Sequence, residues 1–164
     1  MRILKEYGPY VLVIICVILI RTFIITPIRV DGVSMNKTLY NNDLLFLKKY
    51  DKSYDRFDVI VFNYSGKRLI KRIIGLPGEH VKYVNNKLYI NDKVVDDKYG
   101  TGKTYDFDIK KINYETIPDG YYFVLGDNRQ NSSDSRIIGL VSSKDILGVT
   151  DFRFFPFNKL GKIN

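Results

Sequence analysis

An uncharged apolar run near the start limits what this chain can fold into. No charged residue interrupts it from Tyr7 to Ile20, and after Arg21 and Thr22 a second patch, "FIITPI", continues to Ile28. Residues 7–28 give roughly 22 positions, which at about 1.5 Å each span the hydrocarbon core of a bilayer. Arg21 would then lie near the far interface, where a long stem can snorkel. Arg2 and Lys5 precede the run, against one acid, Glu6, which keeps residues 1–6 in the cytoplasm. A cleaved leader is the competing reading, because Gly32 and Ser34 supply small residues at the two required places. Arg29 and Asp31 crowd that site, so an uncleaved anchor fits better. The expectation is a transmembrane helix over 7–28, with residues 29–164 on the outer side.

The remainder reads as β structure. "DVIVFNY" at 58–64 and "RLIKRIIG" at 68–75 are short, rich in β-branched and aromatic residues, and bounded by Ser-Gly and Pro-Gly turns. "VKYVNNKLYI" at 81–90 reads as a hairpin turning at Asn85-Asn86, since Asn tolerates positive φ. "YYFVLGD" at 121–127 and "GVTDFRFFPF" at 148–157 are further strands. Residues 91–118 are polar and irregular, an excursion from the core. No helical period appears after residue 30. The predicted fold class is mostly β: antiparallel sheets or a coiled β-barrel behind one N-terminal membrane helix.

Composition excludes several functions. The net charge is +8, but the basic residues are interspersed with Asp and Asn, with no basic arm, so nucleic-acid binding is not expected. Cys16 is the one cysteine and lies in the apolar run, so neither an internal disulfide nor a cysteine metal site can form. His80 is the one histidine, in "LPGEHVKY", where a turn or strand-edge role is the simpler reading.

"VSMNKTL" at 33–39 raises a chemical question. A nucleophilic Ser34 needs a proton acceptor within reach. Lys37 is nearest, but its surroundings are polar, and a solvated lysine stays protonated near its ordinary value of about 10.4. Lys71 differs. Strand alternation puts Leu69, Lys71 and Ile73 on one face and Ile70, Arg72 and Ile74 on the other. If the first face is buried, desolvation lowers the pKa of Lys71 toward a working base. An edge-strand lysine among solvated charges fits this segment equally well. The turn-rich "GDNRQNSSDSR" at 126–136 supplies three hydroxyls with Asp134 and Arg136. Such a loop can hold a neutral lysine by a hydroxyl and brace itself with an Asp–Arg pair. A carboxylate on the lysine would raise its pKa, so the hydroxyl is the expected contact.

These pieces resemble the bacterial type I signal peptidases. Ser34-Met35 with Thr38-Leu39, "KRIIGLPGE" at 71–79 and "GDNRQNSSDSR" occur in this order after an N-terminal anchor, and the compact chain is similar to Gram-positive members. The resemblance implies a membrane-bound serine protease with Ser34 as nucleophile and Lys71 as general base. It implies that Ser132 orients the lysine, that Asp134 and Arg136 brace the site, and that Asp127 is the acid of the same loop. Met35 would form a wall of the substrate pockets. The Ser34 N–H would donate to the oxyanion. Gly32 stands where some members add a serine hydroxyl, which leaves the second donor unassigned. No metal or cofactor is implied. The implied partners are pre-proteins bearing signal peptides, membrane lipid and, indirectly, the secretion machinery, at the plasma membrane.

This sequence departs from the family pattern at Lys37, where proline is usual. Asn42-Asp43 replaces Gly-Asp, and Glu79 replaces Asp after Pro77-Gly78. Proline would stiffen the turn; lysine adds a cation near the dyad. Two rival readings are a self-cleaving repressor-type protease, which would need a DNA-binding region, and a catalytically inactive membrane-anchored substrate-binding homologue.

Overall fold

The computed structural model describes residues 2–23, 25–49 and 53–163. Met1 and Ile24, parts of the predicted cytoplasmic N-terminus and anchor, lie outside the described residues, as do residues 50–52 and Asn164. The elements in chain order are α1 (Arg2–Phe23), β1 (Ile25–Arg29), β2 (Leu44–Lys48), β3 (Val59–Tyr64), β4 (Lys67–Gly75), β5 (Val81–Val84) and β6 (Lys87–Ile90). Then follow β7 (Lys93–Val95), β8 (Phe107–Asp108), β9 (Tyr121–Leu125), α2 (Ser135–Ile138), β10 (Val141–Ser142), β11 (Ile146–Phe155) and β12 (Gly161–Lys162).

Two antiparallel sheets make the body, as the mostly β expectation requires. The larger runs β1-β2-β11-β3-β4-β9-β10, with β12 on β11; the smaller runs β7-β6-β5-β8. The large sheet forms from β-branched and aliphatic runs such as Val59-Ile60-Val61-Phe62, in which each residue is buried. One cluster, including Ile28, Met35, Leu39, Leu45 and Val61, packs beneath the β1–β2 end. Another, with Ile74, Tyr83, Leu88, Phe107 and Phe123, joins the two sheets. The β5–β6 hairpin turns where expected, at Asn85 and Asn86, with φ of 50° and 66°. These left-handed values suit Asn, whose short polar side chain tolerates that region.

Two expectations are corrected. Helix α1 ends at Phe23, and residues 25–28 of the predicted span are strand instead: Ile25 pairs with Lys48 and Ile28 with Leu45. An apolar run alone does not separate helix from buried strand; here the pairing with Leu44–Lys48 decides. Among the described residues no helix is long and apolar enough to cross a membrane. The second correction concerns residues 91–118. Far from being an excursion, they carry β7 and β8 and bury Phe107, Ile109 and Ile117 in the core. Their apolar residues are too widely spaced to show a period, yet all three join the cluster that holds Tyr83 and Phe123.

Candidate active site

Ser34 opens a tight turn that follows β1. Asn36 N donates to Val33 O at 3.1 Å, and Leu39 N donates to Met35 O at 2.8 Å. Met35 and Leu39, at 2% and 0% exposed, sink into the core and fix the turn from below. From the loop after β9, Asn128 N donates to Ser34 O at 3.0 Å, and Asn128 Nδ2 donates to Val33 O at 3.1 Å. The nucleophile candidate therefore sits on backbone held from both sides.

Lys71, on β4, reaches it: Nζ donates to Ser34 Oγ at 2.6 Å. Lys71 is 3% exposed. Burial strips water from the ammonium and lowers its pKa from 10.5 to about 8, while the nearby carboxylates of Asp134 and Asp127 push the other way. Of the two lysines weighed from the sequence, Lys37 is exposed and Lys71 is the one at the serine.

The loop after β9 meets this pair without touching the amine through a carboxylate. Asp134, fully buried, accepts from Gly126 N at 3.1 Å and caps α2. Arg136 grips it through Nε and Nη2, each at 2.8 Å, and a further Nη2 bond to Arg129 O closes the loop. Asp127 accepts from Arg72 Nε at 2.9 Å and Nη2 at 2.8 Å, and from Thr38 Oγ1 at 2.5 Å. That carboxylate ties β4, its own loop and the serine turn together.

Ser132 makes no hydrogen bond to Lys71 in this structure. The hydroxyl at Lys71 is that of Ser34, and Ser132 Oγ is buried without a hydrogen-bond partner. It lies against Gly126, where an added Cβ would stand 2.2 Å from Ser132 Oγ and 2.5 Å from Ser34 O. Arg72 also departs from the alternation argument. It is 2% exposed, and Tyr99 stacks on its guanidinium at 3.8 Å. Both neighbours on the strand are buried because β3 and β9 flank β4 at Arg72. Sequence reasoning missed Arg72, Thr38 and the Arg129–Asp97 pair. The one available signal was Arg72 within an aliphatic run, where a charge needs a buried partner. His80 is bonded through Nε2 to Asp108 at 2.9 Å, at the smaller sheet.

A cleft of about 200 Å³ leads to the pair, lined by Pro27, Val30, Met35, Leu69, Ser34 and Lys71 among others. Two strand edges border it. β1 is outermost in its sheet, and among the described strands β9 pairs with β4 only from Arg72 onward. Backbone groups of β4 before Arg72 therefore face the cleft side without a ladder.

A buried, partly neutral lysine bonded to a serine, beside an open strand edge, is the equipment of a peptide-cutting site. The sequence model of the family described as "Signal peptidase, peptidase S26" matches residues 4–155. The chain belongs to this peptidase family. It is 42% identical to "Signal peptidase I S" of Bacillus subtilis, over 99% of this chain and 94% of the relative. It is 35% identical to "Signal peptidase I" of Streptococcus pneumoniae, over 96% of each. The crystal structure of a signal peptidase I from Enterococcus faecalis superposes with a TM-score of 0.56 at 39% identity, covering 59% of this chain and 96% of that one. The chain thus shares its antiparallel β architecture with a solved relative. Lys37 has φ of 58°, a conformation closed to the proline usual at that place, whose ring holds φ near −65°.

Proposed function

We propose that this peptidase removes N-terminal signal peptides from exported pre-proteins, with Ser34 as nucleophile and Lys71 as general base. The observation that carries the reading is the 2.6 Å bond between Lys71 Nζ and Ser34 Oγ, with the lysine buried and its pKa brought to about 8. The substrate lies extended in the cleft and adds a strand at the free edge of β4. Small side chains before the scissile bond fit against Met35 and Leu69. Neutral Lys71 takes the Ser34 proton as Oγ attacks the carbonyl carbon. The oxyanion forms against the Ser34 N–H. Collapse breaks the C–N bond, and Lys71 passes its proton to the leaving amine. A water then gives a proton to Lys71 and attacks the ester; the second collapse releases the signal peptide's carboxylate and returns the proton to Ser34 Oγ.

Ser132, in this reading, bonds Lys71 once substrate displaces the present Lys71–Ser34 contact. Asp134, Arg136 and Asp127 hold the loop that carries it. Helix α1, though among the described residues it falls short of a spanning helix, holds the enzyme at the plasma membrane in this reading, with the β body outside. Supporting this, its apolar side chains from Tyr7 to Leu19 are mostly exposed, with Tyr10 at 68% and Val13 at 61%. Phe155, Phe157 and Leu160 add exposed apolar surface on the β body. Pro27, just after α1, lines the cleft, so a substrate's own apolar segment would lie beside that helix in lipid.

The test is processing of a purified pre-protein in detergent, with the cut position read by mass. The wild type yields one mature product. Ser34→Ala and Lys71→Ala yield none, with the fold retained by circular dichroism. Normal processing by Lys71→Ala would overturn the dyad.

A further inference from the structure

A second hollow, of about 390 Å³, borders the serine turn and is lined by Lys37, Thr38, Lys98, Tyr99 and Thr101. Its two ammonium groups have no assigned task. Among the described residues neither Lys37 nor Lys98 forms an ion pair. Asp97, beside Lys98 in the chain, is committed to Arg129. The walls are fixed to the catalytic loop. Thr101 N donates to Asp127 O at 2.7 Å, Arg129 N donates to Thr101 O at 3.2 Å, and Thr101 Oγ1 donates to Asn36 O at 3.3 Å. Tyr99 is held by its stack on Arg72.

Lys37 belongs to the turn that carries Ser34, and its left-handed φ of 58° sets the course of that turn. Turn residues three apart stand within about 7 Å, roughly two residues of extended chain. The free edge of β4 ends at Lys71, because β9 takes over from Arg72. A peptide paired along the free edge of β4 that reacts at Ser34 must therefore leave the edge there, past the turn.

We infer that this hollow receives the stretch of substrate just after the scissile bond and selects for an acidic side chain there, through Lys37 and Lys98. The inference rests on the Ser34–Lys71 reading above. Exposed lysine–carboxylate contacts are modest and screened by salt, so the expected preference is roughly threefold to tenfold at low ionic strength.

The test compares kcat/KM for peptides identical except for Asp, Asn or Lys at the second or third position after the bond, in neutral detergent. The wild type favours Asp over Asn by about threefold to tenfold, and the ratio shrinks with added salt. In Lys37→Gln/Lys98→Gln the ratio falls to about one, and Lys98→Glu shifts preference toward the Lys peptide. Because the readout is a ratio within each variant, a general loss of rate does not mimic the effect. A wild-type ratio of one, or a preference that survives the double variant, overturns the inference and leaves the dyad untouched. Failure of the wild type to cut any of the peptides overturns the dyad reading, and this inference with it.

Discussion

Replacing Lys71 by methionine should abolish cleavage and make the protein more stable. A fall in pKa from 10.5 to about 8, at about 1.4 kcal/mol per unit, means that burial penalises the ammonium by about 3 kcal/mol. Below about pH 8 folded and unfolded chains both hold the proton, so the folded state bears the full penalty. As pH rises from 8 toward 10.5 the folded chain sheds its proton first, and stability increases. Methionine has similar reach and no charge. Lys71→Met should therefore gain up to about 3 kcal/mol at pH 7, or roughly 6 to 12 °C in Tm for a chain of this size. Loss of the bond to Ser34 Oγ takes back about 1 kcal/mol. The assay is thermal unfolding in detergent at pH 7 and pH 10. The gain should be large at pH 7 and shrink at pH 10. A Tm equal to or below the wild type at pH 7 would refute the desolvation argument.

Gly126→Ala should lower kcat at least tenfold, because its Cβ would stand 2.5 Å from Ser34 O and 2.2 Å from Ser132 Oγ; peptide cleavage with a Tm measurement checks this. Ser132→Ala removes a buried hydroxyl that has no partner, so Tm should hold or rise. If Ser132 orients Lys71 in the substrate complex, kcat still falls. Lys37→Pro should cost activity and Tm together, since φ of 58° is closed to proline. Lys37→Gly should keep the turn and gain up to about 1 kcal/mol by relieving left-handed strain, read by denaturant unfolding.

Much of the β body was legible because local chemistry and tertiary structure agree. Asn85-Asn86 announces its own turn, and the short β-branched run of β3, bounded by turn residues, reads as a strand. The elements that escaped are those decided by distant partners. β1 reads as more of the preceding helix until Leu44–Lys48 pairs with it. Phe107, Ile109 and Ile117 look scattered among charges, yet the core between the two sheets closes over them. At the site, the aliphatic neighbours of Lys71 left a buried base and a solvated edge lysine equally open, and the burial is set by the strands on either side. The strand alternation that placed Arg72 opposite could not reveal that Asp127, 55 residues on, buries it too. Lys37 was visible as a departure from the family pattern, but the left-handed backbone beneath it was not.

The pH dependence of peptide cleavage tests the central claim most directly. With Lys71 as base, kcat/KM should rise with pH, half-maximal near the lysine's value of about 8, with about a tenth of the plateau rate left at pH 7. Lys71→Ala should remove the activity at each pH. A rate that stays level from pH 5 to 9, or survives in Lys71→Ala, would contradict a buried lysine as the base.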